Sequence, residues 1–285
     1  KALSLGFDLC GIARCRSLER QYDRFKNWLA DGCDGGLEYL RRNTGKRFDP
    51  GALCEGARSV IVCGVGYHRP PSAHEVASRI ASYAHSRDYH LTIRERLNEL
   101  SAYLRELVPG ASGRVFTDTA PLAEKSWAVE AGLGWIGRNS LLANPRLGSF
   151  LLLGEVVTTA ELEPDAPFVR DGCGTCRACV DACPVAAIRP DRTIDAGRCI
   201  SRRTIEAGDG DEGDLHGWLF GCDVCQRACP YNRKAPVSVH DSFAPLAELE
   251  RLDVDDWLGL DEAGFRRIFG ETPLARCGLR RLQER

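Results

Sequence analysis

Apolar positions along residues 1–165 follow two kinds of pattern. Amphipathic segments, with apolar residues three or four positions apart, predict helices at 17–30, 37–43, 91–108 and 121–131. Short apolar runs predict strands at 4–14 and 114–118, and buried strands at 58–67 and 149–159. Because strands and helices alternate, the pattern predicts an α/β domain over residues 1–165.

The polarity of the chain changes after this domain. The acidic, proline-bearing stretch ELEPDAPF at 161–168 predicts a linker. A cysteine-rich region follows it, and the remainder is polar and helix-prone. We therefore divide the chain into a first domain at 1–165, a cysteine-rich domain at 166–235 and a C-terminal helical segment at 236–285.

Eight of the fourteen cysteines lie in the cysteine-rich domain. The first four have the bacterial ferredoxin spacing C-x2-C-x2-C-x3-C-P, ending at Pro184. The second group ends in the same way at Pro230, with one cysteine displaced upstream. In this arrangement three thiolates surround one 4Fe–4S cluster and the fourth binds the other cluster. The predicted ligands are Cys173, Cys176, Cys179 and Cys229 for the first cluster, and Cys183, Cys199, Cys222 and Cys225 for the second.

Two other uses of these cysteines are weighed against iron–sulfur clusters. Paired C-x2-C motifs also build four-cysteine zinc sites, but zinc does not require the third cysteine or the trailing Cys-Pro. A disulfide framework is typical of short secreted chains, and this chain has 285 residues and no visible signal peptide. The remaining cysteines lack ligand-like spacing and are expected to be small buried hydrophobes: Cys10, Cys15, Cys33, Cys54, Cys63 and Cys277.

Charge and composition narrow the class of protein. The 38 Lys and Arg residues nearly balance the 40 Asp and Glu residues, so no overall basic field indicates nucleic acid binding. No stretch reaches the roughly 18 apolar residues of a membrane span. A thiol-rich, metal-binding chain favours a reducing compartment, and we expect the cytoplasm.

Three short motifs carry weak signals. Residues 132–137 satisfy G-x-G-x-x-G, but a predicted helix precedes them, so a tight turn or a close approach to a flat group is favoured over a nucleotide site. Asp88 and His90 begin a D-x-H-x-x-G corrinoid motif that Ile93 breaks, so His90 is expected to be a polar helix-start residue. The acidic stretch at 209–214 lacks the closing Glu of an EF-hand and is expected to be a solvated loop.

Asp118 is the most informative acidic residue. It ends a predicted strand, where α/β folds place ligands. If the site excludes water, its pKa would be raised and it could deliver a proton. Asp118 could instead be the N-cap of the following helix. The sequence pattern leaves both interpretations open.

Taken together, the motifs of the chain resemble one family, epoxyqueuosine reductase, almost from end to end. The order of the motifs is more specific than the cysteines alone. They are LEYLRRN (37–43), FDPGALCEGARSVIV (48–62), SRDYH (86–90), FTDTAPLAEK (116–125), AGLGWIGRNSLL (131–142), GSFLLLGE (148–155), the first cysteine motif, CISRRTIE (199–206) and GCDVCQRACPYN (221–232).

The resemblance implies a fold and cofactors. The fold is α+β/α/β: a nitroreductase-like cobalamin-binding domain, similar to that of reductive dehalogenases, followed by a bacterial ferredoxin-like domain with two 4Fe–4S clusters. By motif position, Asp118 corresponds to the proton donor above the cobalt, and cobalamin has no histidine lower ligand. Arg42, Leu142 and Leu153 are expected to line the cobalamin. Ser201 and Asp223 are expected to face it beside the second cluster.

The resemblance also implies an activity. It is the reduction of epoxyqueuosine to queuosine at the wobble position of tRNA. The expected partners are the tRNA anticodon stem-loop and an external low-potential electron donor, with no membrane, and we expect a monomer. Candidate phosphate contacts are Arg202, Arg203, Arg266, Arg267, Arg280 and Arg281. Longer family members continue with a helical-repeat region where this sequence stops, which puts tRNA affinity in question but not the chemistry.

Two rival functions share features with this interpretation. A corrinoid and iron–sulfur reductive dehalogenase would use the same cofactors. A ferredoxin-type electron carrier would need the clusters alone, and the large first domain argues against it. A cobalamin absorption band would exclude the carrier, and activity on tRNA stem-loops or on halogenated organics would separate the two enzymes.

Overall fold

A computed structural model describes residues 1–206 and 213–285. The predicted solvated loop at 209–214 therefore lies largely outside the described residues. In the described part of the chain, helices and strands cover the segments that the apolar patterns predict, with boundaries displaced by a few residues.

The helices fall into three groups along the chain. The first domain contains α1 (Glu19–Ala30), α2 (Glu38–Arg41), α3 (Glu75–Ser78), α4 (Tyr89–Leu107) and α5 (Glu124–Glu130). The cysteine-rich region contains α6 (Ala178–Ala182), α7 (Ile200–Ile205) and α8 (Val224–Arg227). The C-terminal segment contains α9 (Val254–Gly259), α10 (Glu262–Phe269) and α11 (Leu279–Gln283).

The strands and the short 3-10 helices complete the framework. The strands are β1 (Leu9–Arg14), β2 (Ser59–Gly66), β3 (Gly113–Phe116), β4 (Trp135–Ile136), β5 (Leu142–Ala143) and β6 (Leu151–Thr158). The 3-10 helices are Leu3–Leu5, Gly45–Phe48, Pro50–Ala52, Ser82–Ala84, Asn232–Lys234, Asp241–Phe243 and Pro273–Arg276.

The main sheet has four strands in the order β1-β2-β6-β3. Every neighbouring pair in it is antiparallel. The prediction of an α/β domain is therefore wrong in this respect, and the α+β description applies. In an α/β fold, helices connect neighbouring strands that run parallel. Here the neighbouring strands β2 and β6 are antiparallel, and the segment that connects them includes α3, α4, β3 and α5.

Strand β6 separates two apolar cores. Its side chains alternate between the two faces of the sheet, as in any strand. Leu152 and Val156 pack with the core that includes α4. Trp127 of α5 belongs to the opposite core, together with Leu153 and Val157. A Cβ on Gly154 would lie 2.6 Å from Ile93 Cγ2, so glycine permits α4 to approach this strand closely.

The C-terminal segment packs back onto the first domain. Leu249, Trp257 and Phe269 share a third apolar core with Val76 and Ile80 of the first domain. The backbone N–H of Asp88 also donates to the carbonyl of Glu271 across 2.7 Å. These contacts place the segment after α10 beside the start of α4.

The glycine-rich segment at 132–137 is a site of close backbone approach and has no nucleotide-binding context. Helix α5 ends just before it and the two-residue strand β4 lies within it. A Cβ on Gly134 would lie 2.1 Å from the carbonyl oxygen of Ala143 in β5. The group that Gly134 approaches closely is therefore the backbone of β5 and not a flat ligand.

Within the described residues, no helix combines the length and the apolar character needed to cross a membrane.

Candidate active site

Asp118 lies in the loop after β3, two residues past Phe116. Its φ is 52°, in the left-handed region that few non-glycine residues adopt. The preceding Thr117 anchors the loop to β6, because its hydroxyl donates to the carbonyl of Leu153 across 3.1 Å. The residue before α5 is Ala123, with no side-chain cap. Asp118 is therefore not the N-cap of that helix, and the capping interpretation is wrong.

His90 joins the start of α4 to this loop. Asp88 caps the helix by accepting the backbone N–H of His90 at 3.0 Å, so His90 is a polar helix-start residue, as predicted. Its Nδ1 lies 2.6 Å from Asp88 Oδ1, and its Nε2 lies 3.2 Å from Asp118 Oδ2. Two carboxylate acceptors favour the imidazolium, in which both ring nitrogens donate.

Sequence reasoning missed the pairing of His90 with Asp118. The only available signal was the D-x-H pattern, which was set aside because the rest of the corrinoid motif is broken. Burial opposes the charge on His90, but the hydrogen bonds to Asp118 and Asp88 prevail and raise its pKa to about 9. The ring is therefore charged near neutral pH.

The same pairing lowers the pKa of Asp118. The hydrogen bond from His90 is the main cause, and it outweighs burial, which acts in the opposite direction. The expectation of a raised pKa is therefore wrong for the ligand-free site. The side chain of Asp118 remains 50% exposed, because it faces an open cavity. Asp118 is held ionised, and the proton of the pair resides on His90.

The cavity in front of Asp118 has a volume of about 410 Å³. One side consists of the start of α4, with Tyr89 and His90, and the other of the C-terminal stretch from Gly270 to Arg276. Phe220 supplies an apolar wall. Arg276 also lines the cavity and pairs with Glu206 at 2.5 Å. The site therefore combines the His90–Asp118 pair with an apolar wall and an Arg276–Glu206 ion pair.

A second cavity, of about 230 Å³, adjoins the first through Tyr83 and Tyr89, which line both. Ser201 and Asp223 line it beside Cys222, so the structure brings these residues together as the resemblance implied. Asp223 accepts the backbone N–H of Ser82 at 2.9 Å, which links the cysteine-rich region to the first domain. Further aromatic and apolar side chains complete the wall: Tyr67, Leu141, Leu151 and Leu152.

Three residues expected beside a cofactor lie elsewhere. Leu142 is 3% exposed and Leu153 is 8% exposed, and both belong to the apolar core around Trp127. Arg42 is exposed at the end of α2. None of the three lines either cavity, whereas Leu141 and Leu152, their sequence neighbours, do. In β6, Leu152 and Leu153 belong to opposite apolar cores, since adjacent residues of a strand face opposite sides of the sheet.

The cysteines of the second domain gather as the spacing predicts. Burial raises the pKa of Cys229, and the nearby thiols of Cys173 and Cys176 raise it further. Burial likewise raises the pKa of Cys222 to about 12, and Cys199 and Cys183 add to that effect. Thiolates in such positions require a neighbouring cation, which iron would supply.

Among residues 1–206 and 213–285, no three His, Cys, Asp or Glu side chains are grouped as ligands of one metal ion. Two hydrogen bonds reach the sulfur atoms of predicted cluster ligands. They are of the kind that tunes clusters, since Trp135 Nε1 donates to Cys173 Sγ at 3.4 Å and the Ala187 N–H donates to Cys183 Sγ at 3.3 Å.

The other six cysteines divide by exposure. Cys33, Cys54 and Cys63 are buried, as expected of small hydrophobes, and Cys15 and Cys277 are partly buried. Cys10 is exposed on the edge strand β1, so the expectation is wrong for it.

The candidate phosphate contacts also differ in exposure. Arg203 is only 8% exposed, so it is not a surface contact in this structure. Arg266 and Arg267 are exposed on α10. Arg280 is exposed as well and pairs with Glu284 at 2.9 Å.

Two family descriptions match the chain. Residues 47–119 match "Epoxyqueuosine reductase QueG, DUF1730". Residues 172–232 match "4Fe-4S double cluster binding domain". The first match ends just past Asp118, and the second contains all eight predicted cluster ligands.

Named relatives cover nearly the whole chain. An epoxyqueuosine reductase of Cyclobacterium marinum is 41% identical over 96% of this chain and 90% of its own length. One of Cellulophaga algicola is 36% identical over 99% of this chain and 94% of its own length. The agreement extends from the first strand to the C-terminal helices.

Solved structures agree in fold. A crystal structure of epoxyqueuosine reductase with an epoxyqueuosine-modified tRNA-Tyr stem loop has a TM-score of 0.90 and 27% identity, over 99% of this chain and 76% of that one. The Bacillus subtilis epoxyqueuosine reductase, with its aspartate-bearing catalytic loop swung out of the active site, has a TM-score of 0.89 and 26% identity, over 99% of this chain and 77% of that one. A catabolic reductive dehalogenase, at 18% identity and a TM-score of 0.50, is similar in fold alone.

Proposed function

The chain belongs to the epoxyqueuosine reductase family, and we propose that it reduces epoxyqueuosine to queuosine in the anticodon stem-loop of tRNA. The observation that carries this proposal is the His90–Asp118 pair at the base of an open cavity, in a chain 41% identical to such a reductase. Converting an epoxide into an alkene consumes two electrons and two protons and releases water. The residues of the site must therefore provide protons to a departing oxygen.

We propose that two 4Fe–4S clusters deliver the electrons one at a time. The first cluster would be held by Cys173, Cys176, Cys179 and Cys229, and the second by Cys183, Cys199, Cys222 and Cys225. The family description of a double cluster domain over residues 172–232 supports this assignment. An external low-potential donor would reduce the clusters.

The residues around the two adjoining cavities suit cobalamin. Tyr67, Tyr83 and Leu152 provide an aromatic and apolar wall for a large flat macrocycle. Ser201 and Asp223 would hold it beside Cys222 and the second cluster. Cobalamin, when bound, supplies low-potential reducing chemistry. Arg42, Leu142 and Leu153 are left out of this proposed site because they do not line the cavity.

The His90–Asp118 pair would supply the proton for the departing oxygen. His90 Nε2–H donates to Asp118 Oδ2, and Tyr89 also hydrogen-bonds the Asp118 carboxylate. The pair keeps a proton up to a pH of about 9, the pKa of His90. Asp118 faces the cavity and is therefore the group that meets the substrate. As negative charge develops on the departing oxygen, the proton would pass to it through Asp118.

The tRNA would approach the cavity in front of Asp118. The structure of a relative with a modified tRNA stem loop supports this partner. The exposed Arg266 and Arg267 of α10 provide cationic groups for phosphates, and Arg276, paired with Glu206, lines the cavity itself. We propose that the protein acts on tRNA in the cytoplasm, as a monomer.

One experiment tests the proposal against its rivals. Anaerobically prepared protein, reconstituted with iron, sulfide and cobalamin, is reduced and mixed with an epoxyqueuosine-containing tRNA stem-loop. We expect conversion to queuosine in a single turnover, and no dehalogenation of halogenated phenols under the same conditions. Dehalogenation without conversion would assign the chain to the rival enzyme class, and the absence of both reactions would leave an electron carrier.

A further inference from the structure

Glu155 is the one carboxylic acid with no exposed surface among the described residues. It lies in β6, opposite Val62 of β2 and Phe116 of β3, at the centre of the sheet. Neither of its carboxyl oxygens has a hydrogen-bond donor within the described chain. An ionised carboxylate in this position would lose its hydration without compensation. Glu155 therefore needs either a proton or a partner.

Glu124, the first residue of α5, provides that partner. Helix α5 packs on β6, so the two carboxyl groups lie on the same side of the sheet. Burial and then the neighbouring Glu124 carboxyl raise the pKa of Glu155, as expected of two acids that share a hydrogen bond. Two carboxyl groups form such a bond only if one of them is protonated, because an ionised carboxylate can only accept. Two ionised carboxylates this close would repel each other in a poorly solvated site, so one of the two acids keeps its proton.

Glu124 also reaches the catalytic loop. Its Oε1 accepts the backbone N–H of Asp118, in a short hydrogen bond. Asp118 is in the left-handed region at this point, a conformation that persists only where surrounding groups hold it. The side chain of Asp118 is held by His90, and its backbone is held by Glu124.

We propose that Glu124 and Glu155 form a proton-sharing pair that positions Asp118: Glu155 keeps the shared proton, and the ionised Glu124 anchors the Asp118 backbone N–H. The two residues are positioning residues, since neither lines the cavities. This inference rests on the proposed function, because it assigns the pair a role in the same reaction. No atom is transferred from the pair to the substrate.

Neighbouring charged groups determine how the hydrogen bond between Glu124 and the Asp118 backbone N–H depends on pH. The titratable groups that act on the pair are Asp118 in the loop, Lys125 on α5 and Tyr89 on α4, while Cys63 of β2 lies on the opposite face of the sheet. Lys125 Nζ donates to the carbonyl of Ser140 at 2.8 Å. Burial and then the charge of Asp118 raise the pKa of Glu124 to about 7. The anchor therefore strengthens as pH rises through about 7, while the proton on His90 is lost only near pH 9.

The primary test removes the anchor with Glu124→Ala. We expect single-turnover conversion of the tRNA stem-loop to fall about 10- to 100-fold with KM unchanged, since displacement of a catalytic group by about 1 Å can cost 100-fold. Hydrogen exchange at the Asp118 amide, measured without cofactors, should lose about tenfold or more in protection as its acceptor disappears. Glu130→Ala is the matched control on the same helix, because Glu130 is also partly buried and its partners, Arg16 and Gln21, lie away from the Asp118 loop.

Substitutions at Glu155 separate proton sharing from packing. The amide of Glu155→Gln can donate to Glu124 without titrating, so we expect it to recover most of the turnover that Glu155→Leu loses. The infrared absorption of the buried protonated carboxyl should vanish in Glu155→Gln. Its persistence would show that the proton lies elsewhere and would overturn the assignment.

The outcomes also separate this inference from the proposed function. Absence of conversion by the wild-type protein and by Glu130→Ala would reject the function, while amide exchange would still test the anchor. The positioning role is wrong if the wild-type protein and Glu130→Ala convert the substrate, Glu124→Ala has a single-turnover rate within about twofold of theirs, and exchange at the Asp118 amide is unchanged. If Glu124→Ala fails to fold, as judged by its melting temperature and iron content, Glu124→Gln and the infrared measurement decide the question.

Discussion

His90 Nε2 lies 3.2 Å from Asp118 Oδ2, which connects the first turn of α4 to the loop after β3. The contact gives a half-exposed carboxylate a charged partner and keeps it ionised at rest. His90 and Asp118 therefore share one proton, which resides on the His90 imidazole while the Asp118 carboxylate is ionised.

Asp118→Asn tests the proton delivery. The amide preserves the shape of the side chain but cannot pass a proton to the departing oxygen. We expect single-turnover conversion to fall roughly 100- to 10,000-fold, the usual contribution of a general acid. Iron content, cobalamin binding and stem-loop affinity should be unchanged. Asp23→Asn, at an exposed carboxylate on α1, serves as the control. Turnover of Asp118→Asn close to that of Asp23→Asn would remove Asp118 from the mechanism.

His90→Gln tests the charge of the pair through stability. The folded-state pKa of about 9 lies above the ordinary histidine value of 6.5, so the folded state binds this proton more tightly than the unfolded state. Its stabilisation is complete below pH 6.5 and is lost as pH rises through about 9. Denaturant titrations at several pH values should show this loss in the wild-type protein and not in His90→Gln. Parallel pH profiles for the two proteins would refute the ion pair.

Cys199→Ala tests the ligand assignment. Two cubanes contain about eight irons and about eight sulfides per chain. Because Cys199 is assigned to the second cluster, the variant should keep about half of the iron of the anaerobically purified wild-type protein. Cys54→Ala, at a buried cysteine in an apolar core, should keep all of it. Unchanged iron in Cys199→Ala, or complete loss, would show that the assignment or the independence of the clusters is wrong.

Arg266→Ala combined with Arg267→Ala tests the tRNA-contact surface. If both arginines contact phosphates, log K should fall less steeply with log salt, by about 0.7 to 0.9 per lost contact. Arg105→Ala, at an exposed residue near the far end of α4, should leave the slope unchanged. Equal slopes for the double variant and the wild-type protein would place the phosphate contacts elsewhere, with Arg276 as the next candidate.

Local patterns account for much of what could be predicted. The apolar run at 58–67 became β2 and the amphipathic segment at 91–108 became most of α4, because burial of one face or of a whole strand shows in the order of residues. The spacing of Cys173, Cys176 and Cys179 predicted a cluster site because these three ligands are close in sequence. Motif order led to Asp118, Ser201 and Asp223, and all three line the cavities.

Other properties depend on which segments meet. Leu142 and Leu153 were expected beside a cofactor, but both are buried in the core around Trp127, whereas Leu141 and Leu152 line the cavity. The antiparallel sheet was missed because the order of elements along the chain does not specify the direction in which a strand enters the sheet. Arg203 was expected on the surface, and tertiary packing buries it.

The sequence by itself determined the strands, the amphipathic helices, the two cysteine groups and the aspartate after β3, because each of these is written in residues close together along the chain. Only the tertiary structure decided the ionisation of the site. His90 and Asp118 are 28 positions apart, and Glu124 meets Glu155 only where α5 crosses the face of β6. A pKa depends on distance and burial in three dimensions, so the chemistry of these acids could not be predicted before their neighbours were known.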